Sequence, residues 1–293
     1  MSLRLEMVQV ARLAPKVLGE SAELVEAFLR SGINPDGGFC NRGGRSDLYY
    51  TVFGLEALTA LNAALPSAQV STYLQGFGDG DGLDFVHLCC LARAWAGITK
   101  DLRAAPAAAI RRRIETYRSG DGGYSQSPGT PHGSVYAAFL AVGACQDLGA
   151  APPDANVLLR SLESSRAADG GYANQPGSAA GLTTSTAAAV TLYREFHCDP
   201  DPALADWLLR RCLPTGGFFA SAAAPVPDLL STATALHALA GLHVQLDPIR
   251  DACLDFLDTL WTNRGGFYGS WADDHLDAEY TYYGLLALGH LTD

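Results

Sequence analysis

Three things are scarce in this chain of 293 residues. Positive charge is the first. Lys and Arg number 20 against 31 Asp and Glu, for a net charge of −11. That balance leaves no basic face to grip a phosphate backbone, which argues against nucleic-acid binding. Long apolar runs are the second. No stretch approaches the roughly 20 residues a membrane-spanning helix needs, and the N-terminus lacks the basic-then-apolar order of a secretory signal. Patterned cysteine is the third. The seven cysteines include the adjacent Cys89 and Cys90 but no CxxC. An odd, scattered set suits reduced thiols in a cytoplasmic protein better than a disulfide framework. Nucleotide and hydrolase signatures are missing too: there is no P-loop and no G-x-S-x-G. His87 with Cys89 and His197 with Cys198 lack the second pair of ligands a metal would require.

What the chain does have is a beat. Gly-Gly followed by an aromatic occurs at Asp36–Phe39, Asp121–Tyr124, Asp169–Tyr172, Thr215–Phe218 and Arg264–Phe267, with a degraded copy, GDGDG, at Gly78–Gly82. The interval is about 42 to 49 residues, a period that marks a repeat architecture. Each repeat shares one grammar. An amphipathic stretch, such as Ala22–Arg30, Val157–Ser165 or Pro248–Trp261, places apolar residues at three-and-four spacing and predicts a helix with one wet face. The glycines end it, since they accept a positive φ where other residues are strained. After a polar loop comes a stretch apolar nearly all round, such as Leu48–Leu61, Thr184–Tyr193 or Glu279–Leu291, which predicts a buried helix. Six such units give about twelve helices. Alternating half-wet and buried helices predict two concentric rings, an all-α, α/α toroid of about six inner and six outer helices, because an open array has no reason to bury one helix of every pair. At 48% hydrophobic, residues 1–293 are read as a single domain. The small residues of the inner helices leave room for a central cavity, and their N-termini, all facing one mouth, predict a positive potential there that favours an anion.

The Gly-Gly-aromatic turns and the pattern D-x-x-x-T-x-x-G-L-x-A-L resemble the β subunit of protein prenyltransferases, most of all the Rab-type geranylgeranyltransferase, and more distantly squalene–hopene cyclases. The segments Asp121–Val142, Leu213–Phe218 with Pro227 and Asp228, and Gly265–Leu285 are similar to the stretches that carry that family's chemistry. The resemblance covers almost the whole chain. It implies an isoprenoid or similar lipid-like small molecule as ligand, transferase or cyclase activity, and a helical partner subunit or self-association.

At the positions where the resemblance places function, the chain departs from the family. The family zinc that makes a substrate thiolate takes an Asp, a Cys two residues on, and a His; here those positions hold Asp228, Leu230 and Tyr280. One ligand of three is not a site, so no cofactor is expected. Asp228 and Asp277 also read as N-caps of inner helices. His132 matches the family's diphosphate-binding His, but the accompanying Arg and Lys are absent around Ser221–Ala224. The acid motif of the cyclases is replaced by Leu182–Thr186, and Asp81 and Asp84 lie in a glycine turn. The resemblance thus leaves Asp228 and Tyr280 as candidates near the reacting end and His132 as a candidate head-group contact. Aromatics of the inner helices, among them Tyr50, Phe53, Tyr136 and Tyr282, are candidates for lining an apolar pocket. Two readings stay open. One is an isoprenoid-binding toroid acting as a transferase or cyclase without the family zinc. The other is a binding or protein-interaction module that kept the fold and lost the catalytic residues.

Overall fold

The computed structural model describes residues 2–99 and 106–292. Two N-terminal helices, α1 (Leu3–Ala11) and α2 (Pro15–Leu18), precede six outer–inner pairs. These are α3 (Ser21–Ser31) with α4 (Leu48–Ala60), α5 (Ser67–Gln75) with α6 (Phe85–Ile98), and α7 (Ala107–Glu115) with α8 (Val135–Asp147). Then follow α9 (Ala155–Glu163) with α10 (Thr183–Glu195), α11 (Ala203–Leu209) with α12 (Leu229–Gly241), and α13 (Asp247–Leu260) with α14 (Ala278–His290). The even-numbered helices from α4 to α14 pack each against the next, and α14 packs back on α4. The result is a closed inner ring with the outer helices around it, the α/α toroid expected from the repeats.

The recurring motif is the hinge of five of the six units. Phe39, Tyr124, Tyr172, Phe218 and Phe267 are all buried, and each bridges back to the end of its own outer helix, to Ile33, Arg118, Arg166, Cys212 and Trp261. The threonine of D-x-x-x-T then locks the turn to the inner helix. The Phe218 N–H donates to Thr232 Oγ1 (2.9 Å), and that hydroxyl donates to the Asp228 carbonyl (2.7 Å). The same arrangement joins Phe39 to Thr51 and Thr51 to Asp47. The glycine in the same motif makes the space: a Cβ on Gly54 would lie 2.2 Å from the Phe39 ring. Hinge and inner helix therefore specify one another.

The turns also join one unit to the next. Gly265 has a φ of +88°, and a Cβ there would meet the Leu24 carbonyl oxygen at 2.1 Å. The last hinge thus presses on α3 of the first unit and closes the ring. Arg42, in the loop between α3 and α4, crosses the same seam to Asp273 (2.7 Å) and Asp277 (2.8 Å).

Helix α1 was not anticipated from the sequence. It lies across the C-terminal ends of the inner helices, touching α14, α4 and α8. Its Leu3 N–H donates to Gln146 Oε1 (2.9 Å), Arg4 bonds Asp147 (3.1 Å), and Glu6 accepts from Arg194 (2.9 Å). It stoppers one end of the ring.

Candidate functional site

Inside the ring lies a cavity of about 250 Å³, lined by all six inner helices and by Leu3, Arg4 and Met7 of α1. Its wall is largely aromatic and aliphatic: Tyr49 and Phe53 from α4, Tyr136, Phe139 and Leu140 from α8, and Tyr283 from α14. The Tyr49 and Phe53 rings meet edge to face at 4.9 Å, and Phe53 meets Tyr283 at 5.4 Å. Inner helices with no polar face, closed on themselves, leave such a space wherever small residues such as Gly143, Ala144, Ala187 and Ala188 face inward. Cys89 and Cys90 also line it, but burial raises both thiols, Cys90 to about 12, and so keeps them unreactive.

Towards α1 the lining turns polar. Arg93 of α6 forms a fork with Glu56 of α4, Nε to Oε1 at 2.5 Å and Nη2 to Oε2 at 2.6 Å. Asp147 at the end of α8 bonds Arg4 through Oδ1, while its Oδ2 is buried without a partner. Burial pushes the Asp147 carboxyl up to about 6 against the pull of Arg93 and Arg4. His237 of α12 sits in the same lining, 3.0 Å from His290, and burial keeps its imidazole neutral. Glu56, Arg93, Asp147 and His237 escaped the reading of the sequence. The signal that would have found Glu56 and Arg93 is a lone charge inside a helix otherwise apolar all round.

The residues singled out from the sequence fall into three places. Phe53 and Tyr136 line the cavity. Tyr282 lies behind the wall, fully buried, with its ring 5.7 Å from Phe53 and its hydroxyl without a partner. Asp228, Tyr280 and Tyr50 gather at the opposite, N-terminal end of the inner ring. Asp228 caps α12, with Oδ1 accepting from the Ser231 N–H (2.7 Å) and Oδ2 from its hydroxyl (2.8 Å). Tyr280 lies under the Arg42 guanidinium, 5.4 Å from ring centre to Cζ. Tyr50 feels the charges of Asp277 and Arg42. His132 stands apart on an exposed loop, 3.6 Å from Asp121, and is not among the residues that line the cavity.

A zinc of the family type would need donors at Asp228, Leu230 and Tyr280. The Asp228 carboxylate is already engaged at both oxygens, Leu230 offers an alkyl wall to the cavity, and a phenol pushed up by burial is a poor ligand. These residues do not fit the metal.

The mouth also differs from expectation. Asp47, Asp84, Asp228 and Asp277 cap α4, α6, α12 and α14 through first-turn N–H groups. Four carboxylates therefore sit where the helix dipoles would have left positive potential. Two cations nearby are each held between two acids: Arg42 by Asp273 and Asp277, and His87 by Asp47 (3.6 Å) and Asp84 (2.8 Å), which push its imidazole up to about 9.

A closed double ring of helices around a largely apolar, aromatic-walled cavity defines an α/α toroid. The chain matches the family described as prenyltransferase alpha-alpha toroid domain over residues 16–87, 76–219 and 204–293, and it belongs to that family. No curated protein sequence matches it. Among solved structures it is similar to a variant of the type II terpene cyclase MstE from Scytonema in complex with its product, merosterolic acid A. The TM-score is 0.66 at 13% identity, over 95% of this chain and 97% of that one. It is similar also to Candida albicans protein geranylgeranyltransferase-I complexed with GGPP, with a TM-score of 0.66 at 12% identity over 92% and 90% of the two chains. At such identity the likeness is one of fold. No helix among the described residues is long and apolar enough to cross a membrane.

Proposed function

We propose that this toroid binds an isoprenoid in its central cavity and does so without the family zinc and without a diphosphate anchor. The observation that carries the reading is the aromatic wall of Tyr49, Phe53, Tyr136, Phe139 and Tyr283 inside the ring. Flat π faces and branched aliphatic neighbours suit a chain of methyl-branched alkenes, and an enclosed apolar site holds such a chain by removing it from water. The two solved relatives hold an isoprenoid product and GGPP, which supports the ligand class. Phe53 and Tyr136 are the residues from the sequence reading that we keep as ligand contacts.

The mouth supports the second half of the proposal. A diphosphate needs free N–H groups or unpaired cations. Here four of the six inner-helix N-termini are taken by aspartates and that of α8 by Ser134, Arg42 and His87 are shared between carboxylates, and His132 stands outside the cavity lining. On this reading, Asp228 holds α12 in place and Tyr280 packs the mouth. Prenyl transfer from a diphosphate would be the activity that the toroid has lost.

The test is differential scanning fluorimetry with farnesol, farnesyl diphosphate, palmitate and pyrophosphate. A ligand at a hundred times its Kd adds about 2.7 kcal/mol of stability. We expect farnesol to raise the melting temperature, the diphosphate to raise it less, and pyrophosphate not to raise it. A shift with palmitate equal to that with farnesol would show a general lipid site, and no shift with any isoprenoid would overturn the proposal.

A further inference from the structure

The cavity turns polar towards α1, where Arg93 enters it beside Arg4, Asp147 and His237. Arg93 sits on the inner face of α6, one turn beyond Cys89 and Cys90, and lines the cavity with them. Of its side chain, 18% remains accessible, and the cavity is where the wall leaves it uncovered. Nε and Nη2 are committed to Glu56. Among the described residues nothing accepts from Nη1, and this nitrogen is not among the buried polar atoms left without a partner. Nη1 thus carries N–H groups that are neither bonded nor sealed off. A guanidinium presents all its donors in one plane, so the fork to Glu56 also fixes the direction of the remaining pair.

Three hydroxyls of the wall are already occupied. Thr191 and Thr234 turn their hydroxyls back to the carbonyls of Ala187 (2.9 Å) and Leu230 (2.7 Å), and the Tyr49 hydroxyl donates to Glu279 (2.6 Å). The local charge is balanced as well. Arg93 with Glu56 and Arg4 with Asp147 form two buried ion pairs. An added carboxylate or phosphate would be left without a counter-charge, at the full cost of burying an unpaired ion. A neutral oxygen carries no such cost and still satisfies the open donor.

Resting on the proposal that the cavity holds an isoprenoid, we infer that its ligand is an oxygenated terpenoid, an alcohol or carbonyl compound, whose oxygen accepts a hydrogen bond from Arg93 Nη1. The ligand then lies with its oxygen against the Arg93–Glu56 pair and its hydrocarbon along Phe53, Tyr136 and Tyr283. Arg93 acts here as the group that selects the oxygenated molecule over its parent hydrocarbon.

Dissociation constants for farnesol and for farnesene, a hydrocarbon of the same chain length, decide the matter. A hydrogen bond to a charged group separates the two by about tenfold or more in favour of the alcohol. Removing both partners of the buried pair, Arg93→Met with Glu56→Leu, avoids stranding a charge. That variant should bind farnesene as the native protein does and lose its preference for farnesol. Equal affinity for alcohol and hydrocarbon in the native protein would overturn the inference and leave the isoprenoid cavity standing. So would a preference that persists in the double variant, since it would place the oxygen on the Tyr136 or Tyr283 phenol. If neither compound binds, the proposed function falls and this inference with it. Should the double variant fail to fold, the native protein labelled with ¹⁵N-arginine gives the same answer. The Arg93 guanidinium resonances must move with farnesol and not with farnesene, and their failure to do so overturns the assignment.

Discussion

Glu279 shows how a single side chain is conditioned by the ring around it. It stands in the first turn of α14, where the Tyr49 hydroxyl donates to it at 2.6 Å across the seam from α4. Burial pushes its carboxyl from 4.5 up to about 7. The folded protein therefore holds this proton more tightly than the unfolded chain does, and the linkage has a definite sign. Below about pH 4.5 the group is neutral in both states and costs nothing. As pH rises towards 7 the unfolded chain releases the proton first, so stability falls, and above about 7 the penalty is complete. Glu279→Gln removes the titration and keeps an acceptor for Tyr49. Urea unfolding should find this variant more stable than the native protein at pH 8, by on the order of 1–2 kcal/mol after discounting for screening by solvent, and little different at pH 4.5. A gain of the same size at both values would mean that the carboxylate is ionised throughout.

At the scale of the element, α1 decides whether the ring encloses a cavity or surrounds a channel. Its grip is close-fitting on α14, where a Cβ on Gly289 would lie 2.1 Å from the Val10 carbonyl oxygen. Elsewhere it is held by polar ties, Arg4 to Asp147 and Glu6 to Arg194, and by Leu3 and Met7 against the cavity. A bulkier residue at 289 cannot be absorbed by a flexible side chain, because the atom it meets is backbone. Gly289→Val should therefore lift α1 while the rings persist. The expected readout is faster amide hydrogen exchange across α1 and faster release of bound farnesol, with helical circular dichroism nearly unchanged. A variant that releases farnesol as slowly as the native protein would show that α1 does not seal the cavity. This helix was hard to read in the sequence for a physical reason. Its nine residues bury Leu3, Met7, Val8 and Ala11 while leaving Leu5 exposed, so no clean face marks it, and its ties to Gln146 and Asp147 reach 143 residues along the chain.

At the scale of the whole molecule, the fold was legible because its rules are local and repeated. The Gly-Gly-aromatic hinge, the capping Asp and the locking Thr lie within about 15 residues of one another, and the first, fifth and sixth units carry the whole set. The site was legible only where it shares the character of the helices that bear it, as at Phe53 and Tyr136. Its polar end is assembled from Glu56, Arg93 and Asp147 on three helices, and no local pattern links them. Closure itself has a consequence that an open repeat array lacks. In an open array the terminal units have one neighbour and fray first, whereas in a closed ring every unit has two. Here the join between first and last units rests on Gly265 against Leu24, Arg42 against Asp273 and Asp277, and Tyr49 against Glu279. Gly265→Val places a branched side chain at a φ of +88° and against a backbone oxygen, so it should break this join and turn the ring into an array with two ends. Amide hydrogen exchange should then quicken first in α3, α4 and α14, while α8 and α10, across the ring, keep their protection. Exchange that quickens uniformly would instead mean that the ring opens as one cooperative unit, with no weak join between its first and last repeats.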